Sequence, residues 1–302
     1  MIVSRSWIYL ILLSLIWGSS FWLIKQGLES LTPIQVALLR IIFAGICLLP
    51  FLFRSRTSKL PLKMLAIIGM VGNIIPALCF AFAQQIIPSA LAGMTNSLQP
   101  ILTMILAFQF FNLSIQKQQV IGVIIGFVGA LLLTAPQDVT QLQLSEQGAA
   151  HYWATGLVIL ATFCYALSTN LIRNYCAHLA PVTIAATSIN FYLLPAAVIL
   201  FFNVNSSNLE LTPQALGSIG SVFLLGSIGT AFALIVFNRL VHLAGAVTAS
   251  LVTYLIPIVA IIIGLLDNEV IVWHQYVGIL IIFIGLLMLS LSKSNQSHTK
   301  SG

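Results

Sequence analysis

Apolar runs of roughly 20 residues recur from one end of this chain to the other, and nothing else in it narrows the fold as much. A helix of about 20 apolar residues is as long as the hydrocarbon core of a bilayer is thick. Such runs lie near 7–27, 33–53, 64–85, 88–110, 117–135, 153–173, 181–202, 214–238, 243–266 and 272–292. Short polar connections separate most of them; the longest is PQDVTQLQLSEQGAAHY, at 136–152. Charge settles which solvent these helices meet. Only 6% of the residues are charged and the mean hydropathy is +1.06, whereas a water-soluble domain carries about 25% charged residues. The expected fold is an all-α polytopic membrane protein with ten transmembrane helices.

The first run follows Arg5, is long, and is closed by no small-x-small site, so it reads as a retained span and not a cleaved signal peptide. Residues 293–302 are polar and read as a disordered tail. Cys47, Cys79, Cys164 and Cys176 all fall within spans without C-x-x-C spacing. They read as small apolar fillers, and neither a disulfide framework, a metal site nor a cofactor is expected.

With ten spans the loops alternate sides, and the charges sort with them. Arg5, Arg54, Arg56, Lys59, Lys63, Lys117, Arg173, Arg239, Lys293 and Lys300 fall on one side. Glu29, Asp138, Glu146, Glu210, Asp267 and Glu269 fall on the other. The positive-inside rule places the basic side, with both termini, in the cytoplasm of a multi-pass inner membrane protein. The net charge of +6 therefore reflects topology and marks no nucleic-acid partner.

The chain also repeats itself. A shift of 148 places Trp17 on Tyr165, Ser20 on Ser168, Lys25 on Arg173 and Pro33 on Pro181. A shift of 157 places Gly69 on Gly226, Gly72 on Gly229, Phe80 on Phe237 and Pro100 on Pro257; a shift of 156 places Gly122 on Gly278 and Gly129 on Gly285. The repeats read as 1–136 and 153–292, joined by an extracytoplasmic linker at 137–152. Each holds five spans, an odd number, so the second is inverted relative to the first. Two similar, inverted halves can exchange shapes, which is the requirement of alternating access.

Two stretches carry a resemblance. WGSSFWLIKQGLESLTPIQVALLRIIFAGICLL, from Trp17, resembles the opening of EamA-type members of the drug/metabolite transporter superfamily. GLLDNEVIVWHQYVGILIIFIGLLML, from Gly264, resembles that family's closing helix pair. The resemblance covers nearly the whole chain and implies a ten-helix carrier of small metabolites, often exporting amino acids. Family repeats often carry an acidic residue nine positions before the first glycine of the last helix. Glu269 fits that place in the second repeat, whereas the first has Leu113.

Depth counted from the span ends brings Trp17, Asn73, Asn96, Gln99, Tyr165, Asn190 and Tyr254 near the bilayer centre. Polar groups at that depth face protein or a water-filled cavity, and these are the candidate substrate-binding residues. Trp17, Phe21 and Lys25 are spaced i, i+4, i+8, with Tyr165, Thr169 and Arg173 as the inverted counterpart. Lys25 and Arg173 read either as pathway mouths or, the alternative favoured by their positions near span ends, as snorkelling cations. Arg40 lies seven residues past Pro33, about 10 Å below the outer boundary. A charge there costs a few kcal/mol and needs a partner: a carbonyl, Glu29 or a substrate. Pro100 and Pro257 sit mid-span at equivalent places and read as paired kinks near a binding site.

The glycines Gly69, Gly72, Gly122, Gly126, Gly129, Gly278 and Gly285 permit close helix packing, and leave open whether the protein is a monomer or a homodimer. His151, His242 and His274 fall at span ends. An enzyme would need paired carboxylates, H-E-x-x-H, or a nucleophile with its base inside the membrane; the spans contain none. The expected function is secondary transport of a small organic metabolite across the bilayer, an amino acid or related carboxylate, in the export direction. The alternatives are a carrier for another metabolite or drug-like solute, or a lipid scramblase.

Overall fold

A computed structural model describes residues 2–52, 60–113, 116–133, 148–207, 212–266 and 273–298; among them all regular structure is helical. The helices of the first half are α1 (Ile2–Leu28), α2 (Pro33–Leu52), α3 (Leu62–Gly69), α4 (Ile75–Ala83), α5 (Ser89–Asn96), α6 (Gln99–Phe111) and α7 (Lys117–Leu133). Those of the second are α8 (Gly148–Tyr175), α9 (Pro181–Asn190), α10 (Leu193–Ser207), α11 (Pro213–Gly226), α12 (Ala233–Ala244), α13 (Ala246–Ser250), α14 (Val252–Leu266) and α15 (Trp273–His298).

Among the described residues, six helical segments are long and apolar enough to cross a membrane: Ser6–Leu28, Pro33–Leu52, Leu62–Ala83, Ala149–Tyr175, Pro181–Asn203 and Pro213–Ala244. Four shorter apolar helices, Gln99–Phe111, Lys117–Leu132, Ala246–Val259 and Tyr276–Leu286, lie inside the remaining apolar runs. Helix α15 continues to His298, so the polar stretch from residue 293, which reads from sequence as a disordered tail, is helical as far as 298. The acids at 138, 146, 210, 267 and 269, and the basic residues at 54, 56, 59 and 300, lie outside the described residues.

Local chemistry explains the helix starts. Pro33, Pro181 and Pro213 each open a helix, where a missing N–H costs nothing. Thr32 and Gln35 form a reciprocal cap: the Gln35 N–H donates to Thr32 Oγ1 at 3.3 Å, and the Thr32 N–H to Gln35 Oε1 at 2.9 Å.

The interruptions matter more for the site. The sequence predicts a kink at Pro100 within a continuous span; instead the helix stops at Asn96 and α6 begins at Gln99, so Pro100 lies in a first turn. Proline cannot donate to the carbonyl four residues back, and here the chain breaks where that bond would have formed. Pro195, in the first turn of α10, likewise follows the break between α9 and α10. Pro257 does lie inside a helix, α14. Two further interruptions are π-turns, Met70–Ile74 between α3 and α4 and Ser227–Phe232 between α11 and α12. Pro76 accounts for the first; Ala233 holds the equivalent place after the second, and nothing in the local sequence explains that turn.

The two halves exchange neighbours. Helix α1 packs on α11, α12 and α14 of the second half, while α8 packs on α4, α5 and α6 of the first. Helices α2 and α9 pack on each other, as do α7 and α15. The last pair meets backbone to backbone: a Cβ on Gly285 would stand 2.7 Å from the Gly122 carbonyl, and one on Gly129 2.9 Å from the Gly278 carbonyl. Small residues let these helices approach so closely, as the glycine spacing predicts.

Candidate functional site

Between these crossed halves lies a cavity of about 890 Å³, its open end included. Twenty of its 24 lining residues form ten pairs related by the repeat shifts. Trp17 pairs with Tyr165, Ser20 with Ser168, Phe21 with Thr169, Ile24 with Ile172 and Arg40 with Ser188. Gly72 pairs with Gly229, Asn73 with Thr230, Phe80 with Phe237, Asn96 with Thr253 and Gln99 with Ile256. The cavity therefore lies at the interface of the repeats.

The aromatic members repeat as contacts. Trp17 stands 5.2 Å from Phe237, and Tyr165 stands 6.1 Å from Phe80, centroid to centroid. The π-turns bring backbone to the wall. Gly229 lies under Ser20, and Gly72 under Ser168; the Gly229 carbonyl accepts from the Trp17 indole Nε1–H at 3.0 Å. Any side chain at Gly72 would collide with the Ser168 hydroxyl.

Arg40 reaches the cavity from α2. Its Nε–H donates to Thr230 Oγ1 at 2.8 Å, and the guanidinium also reaches the Tyr165 hydroxyl. The carboxylate that sequence offers as a partner, Glu29, instead accepts from Gln26 Nε2 at 2.8 Å. No acid lines the cavity among the described residues. Asn73, Asn96 and Gln99 are buried and line it too; the Asn96 side-chain amide lies 3.3 Å from Thr162 Oγ1.

Six of the eight residues expected to bind substrate thus meet in one cavity: Trp17, Arg40, Asn73, Asn96, Gln99 and Tyr165. Two do not. Tyr254 is fully buried away from it, its ring over Gly126 and its hydroxyl donating to the Val123 carbonyl at 2.8 Å. Asn190 bonds back to the Ala186 carbonyl at 2.9 Å on the far side of α9 from Ser188. Depth along a helix gives height but not direction, and both residues share the right height only. Lys25 and Arg173 are exposed and outside the cavity lining, and Arg173 Nη1 lies 3.4 Å from the His242 carbonyl. An i, i+8 spacing drifts about 80° around a helix, whereas i+7 drifts about 20°; Ile24 and Ile172 accordingly take the places assigned to the two cations. Pro100 and Pro257 adjoin the lining residues Gln99 and Ile256 but do not line the cavity.

Sequence reasoning missed Thr230, Ser188, Thr253, Phe80 and Phe237 as wall residues. Applying the repeat shift to Asn73, Arg40 and Asn96 would have found the first three, because a cavity on the interface draws both members of each pair; Phe80 and Phe237 are each other's counterparts, so the shift reaches neither from the candidates chosen.

Residues 5–135 and 152–291 each match the EamA-like transporter family. The chain belongs to that family. It is 25% identical over 290 residues to the inner membrane transporter YedA of Escherichia coli (strain K12), covering 93% of this chain and 89% of that one. A probable amino-acid metabolite efflux pump of Salmonella typhimurium (strain LT2) is 28% identical over 154 residues, 48% of this chain and 50% of the relative. A solved crystal structure superposes with a TM-score of 0.74 at 13% identity, over 97% of this chain and 99% of that chain, a likeness of fold alone. This EamA protein is a multi-pass inner membrane transporter of the drug/metabolite transporter type, and its cavity lies where its two EamA units meet.

Proposed function

We propose that this transporter is a secondary carrier exporting a small organic carboxylate, with an amino acid as the simplest cargo, by alternating access through the cavity. Arg40 carries the reading. A guanidinium that donates to the Thr230 hydroxyl and lies beside that of Tyr165, in a cavity with no acid among the described lining residues, gains from a carboxylate the charge-assisted bidentate bonds that hydroxyls do not give. The two aromatic pairs suit an apolar or aromatic side chain. Carbonyls of Asn96 and Thr253, each four residues before a proline, have no α-helical donor and can accept from an ammonium. In this reading the chain has ten transmembrane helices in two inverted five-helix repeats, with both termini cytoplasmic. The name of the Salmonella relative supports both amino-acid cargo and the outward direction.

Counterflow in proteoliposomes tests this, with radiolabelled L-phenylalanine and L-leucine against the wild type and Arg40→Ala. Uptake by the wild type that is lost in a folded Arg40→Ala variant supports the carboxylate site. Equal uptake in both makes Arg40 a structural tie, and no uptake by the wild type sinks the amino-acid reading.

A further inference from the structure

We propose that Thr230 is the positioning residue of this carrier: through the second π-turn it holds the Arg40 guanidinium in the orientation that receives a carboxylate. The inference rests on the carboxylate reading of the cavity.

A threonine hydroxyl has one proton to donate and two lone pairs to accept with. Thr230 spends its proton on the Leu225 carbonyl, five residues back, at 2.9 Å. That span is unusual. Serine and threonine in a regular helix bond three or four residues back, as Thr162 does to Val158, Thr169 to Tyr165 and Ser227 to Phe223 here. The reach to residue i−5 belongs to the π-turn Ser227–Phe232, whose extra residue rotates the rest of the helix by about 100°.

The consequence falls on Arg40. Because the Thr230 proton is committed, Oγ1 presents a lone pair, and Arg40 Nε–H donates into it at 2.8 Å. Thr230 itself is only 2% exposed, so water does not compete for that lone pair. A guanidinium anchored at Nε has its plane fixed, with the Nη groups left for a bidentate partner. Fixing it in advance removes part of the ordering cost of binding. The same position in the first repeat, Asn73, also lies in a π-turn and also lines the cavity, but no arginine faces it, since Ser188 stands where Arg40 would be.

Thr230→Val keeps the shape and removes the hydroxyl; Thr230→Ser restores the hydroxyl alone. With L-phenylalanine as the counterflow probe, Thr230→Val is expected to raise the half-saturating concentration about tenfold while the maximal rate stays within twofold, and Thr230→Ser to return it to near the wild-type value. L-Phenylalaninamide, which lacks the carboxylate, should inhibit the wild type and Thr230→Val equally. If Thr230→Val does not fold, Thr230→Ala, which removes the hydroxyl without adding volume, is read the same way. Wild-type half-saturation in a folded hydroxyl-free variant, with uptake still lost in Arg40→Ala, overturns the positioning role and leaves the carboxylate site standing. A tenfold loss that serine does not rescue also overturns it. Wild-type uptake in Arg40→Ala removes the site on which both ideas rest.

Discussion

On one wall of the cavity Trp17 stands 5.2 Å from Phe237; on the other Tyr165 stands 6.1 Å from Phe80, and the repeat shifts carry one pair onto the other. The polar residues follow that rule only in part. Ser20 and Ser168 match, and Asn73 and Asn96 correspond to Thr230 and Thr253, but Arg40 and Gln99 of the first repeat correspond to Ser188 and Ile256 of the second. The aromatic walls are shared and the charge is not. If the halves exchange conformations during transport, each must be able to adopt the other's packing, which constrains bulk and backbone in both. A single polar cargo binds in one orientation, so its charged end needs only one wall.

This contrast predicts unequal effects at polar pairs and equal effects at packing pairs. The largest inequality is expected at Arg40 and Ser188. Losing a charge-assisted bidentate contact of about 3 kcal/mol lowers uptake at sub-saturating substrate about 100-fold, so Arg40→Ala should do this while Ser188→Ala stays within twofold. Counterflow with the two variants side by side measures it, and comparable losses would mean that the walls share the work of binding.

Equality should follow at the glycines. Gly285→Leu and Gly129→Leu each push a side chain into the facing backbone of α7 or α15, an overpacking worth about 1–3 kcal/mol. Both should lower the melting temperature in detergent by similar amounts, whereas a one-sided effect would show that the interface tolerates relaxation in one repeat only. At the aromatic pairs, Trp17→Ala and Tyr165→Ala each remove one ring of a contact worth about 0.5–1.5 kcal/mol beyond burial. Uptake should fall about tenfold or less in each, with the two variants within about threefold of one another.

Helix positions are legible in the sequence because lipid imposes length and hydropathy on every span; so is the repeat, because prolines and glycines mark it at fixed offsets. Trp17, Arg40, Asn73, Asn96, Gln99 and Tyr165 stand out as mid-depth polar or aromatic residues. The facing of each helix is harder to read. Lys25 is displaced from the Trp17 stripe by accumulated rotation, and Tyr254 lies at the right depth on the wrong side of its helix. The π-turns decide where Asn73 and Thr230 point, and only the first has a proline to announce it. A turn stabilised by tertiary packing leaves no local mark to read.

The smallest effect separates two tyrosines that the sequence treats alike. Tyr165 and Tyr254 are both mid-span, yet one hydroxyl meets Arg40 and the other the Val123 carbonyl. Tyr254→Phe removes a donor but strands nothing charged, and the Val123 carbonyl keeps its own helical partner, so the loss is about 1 kcal/mol of stability. That corresponds to a melting shift of about 2–4 °C with half-saturation unchanged. Tyr165→Phe takes a hydroxyl from the guanidinium's surroundings, and its effect belongs in half-saturation, about two- to threefold, with the melting temperature held. Thermal melts and counterflow on the same two preparations read both quantities. A half-saturation shift in Tyr254→Phe would mean that the α7–α14 contact is transmitted to the cavity, and packing and binding would then no longer be separable by repeat position.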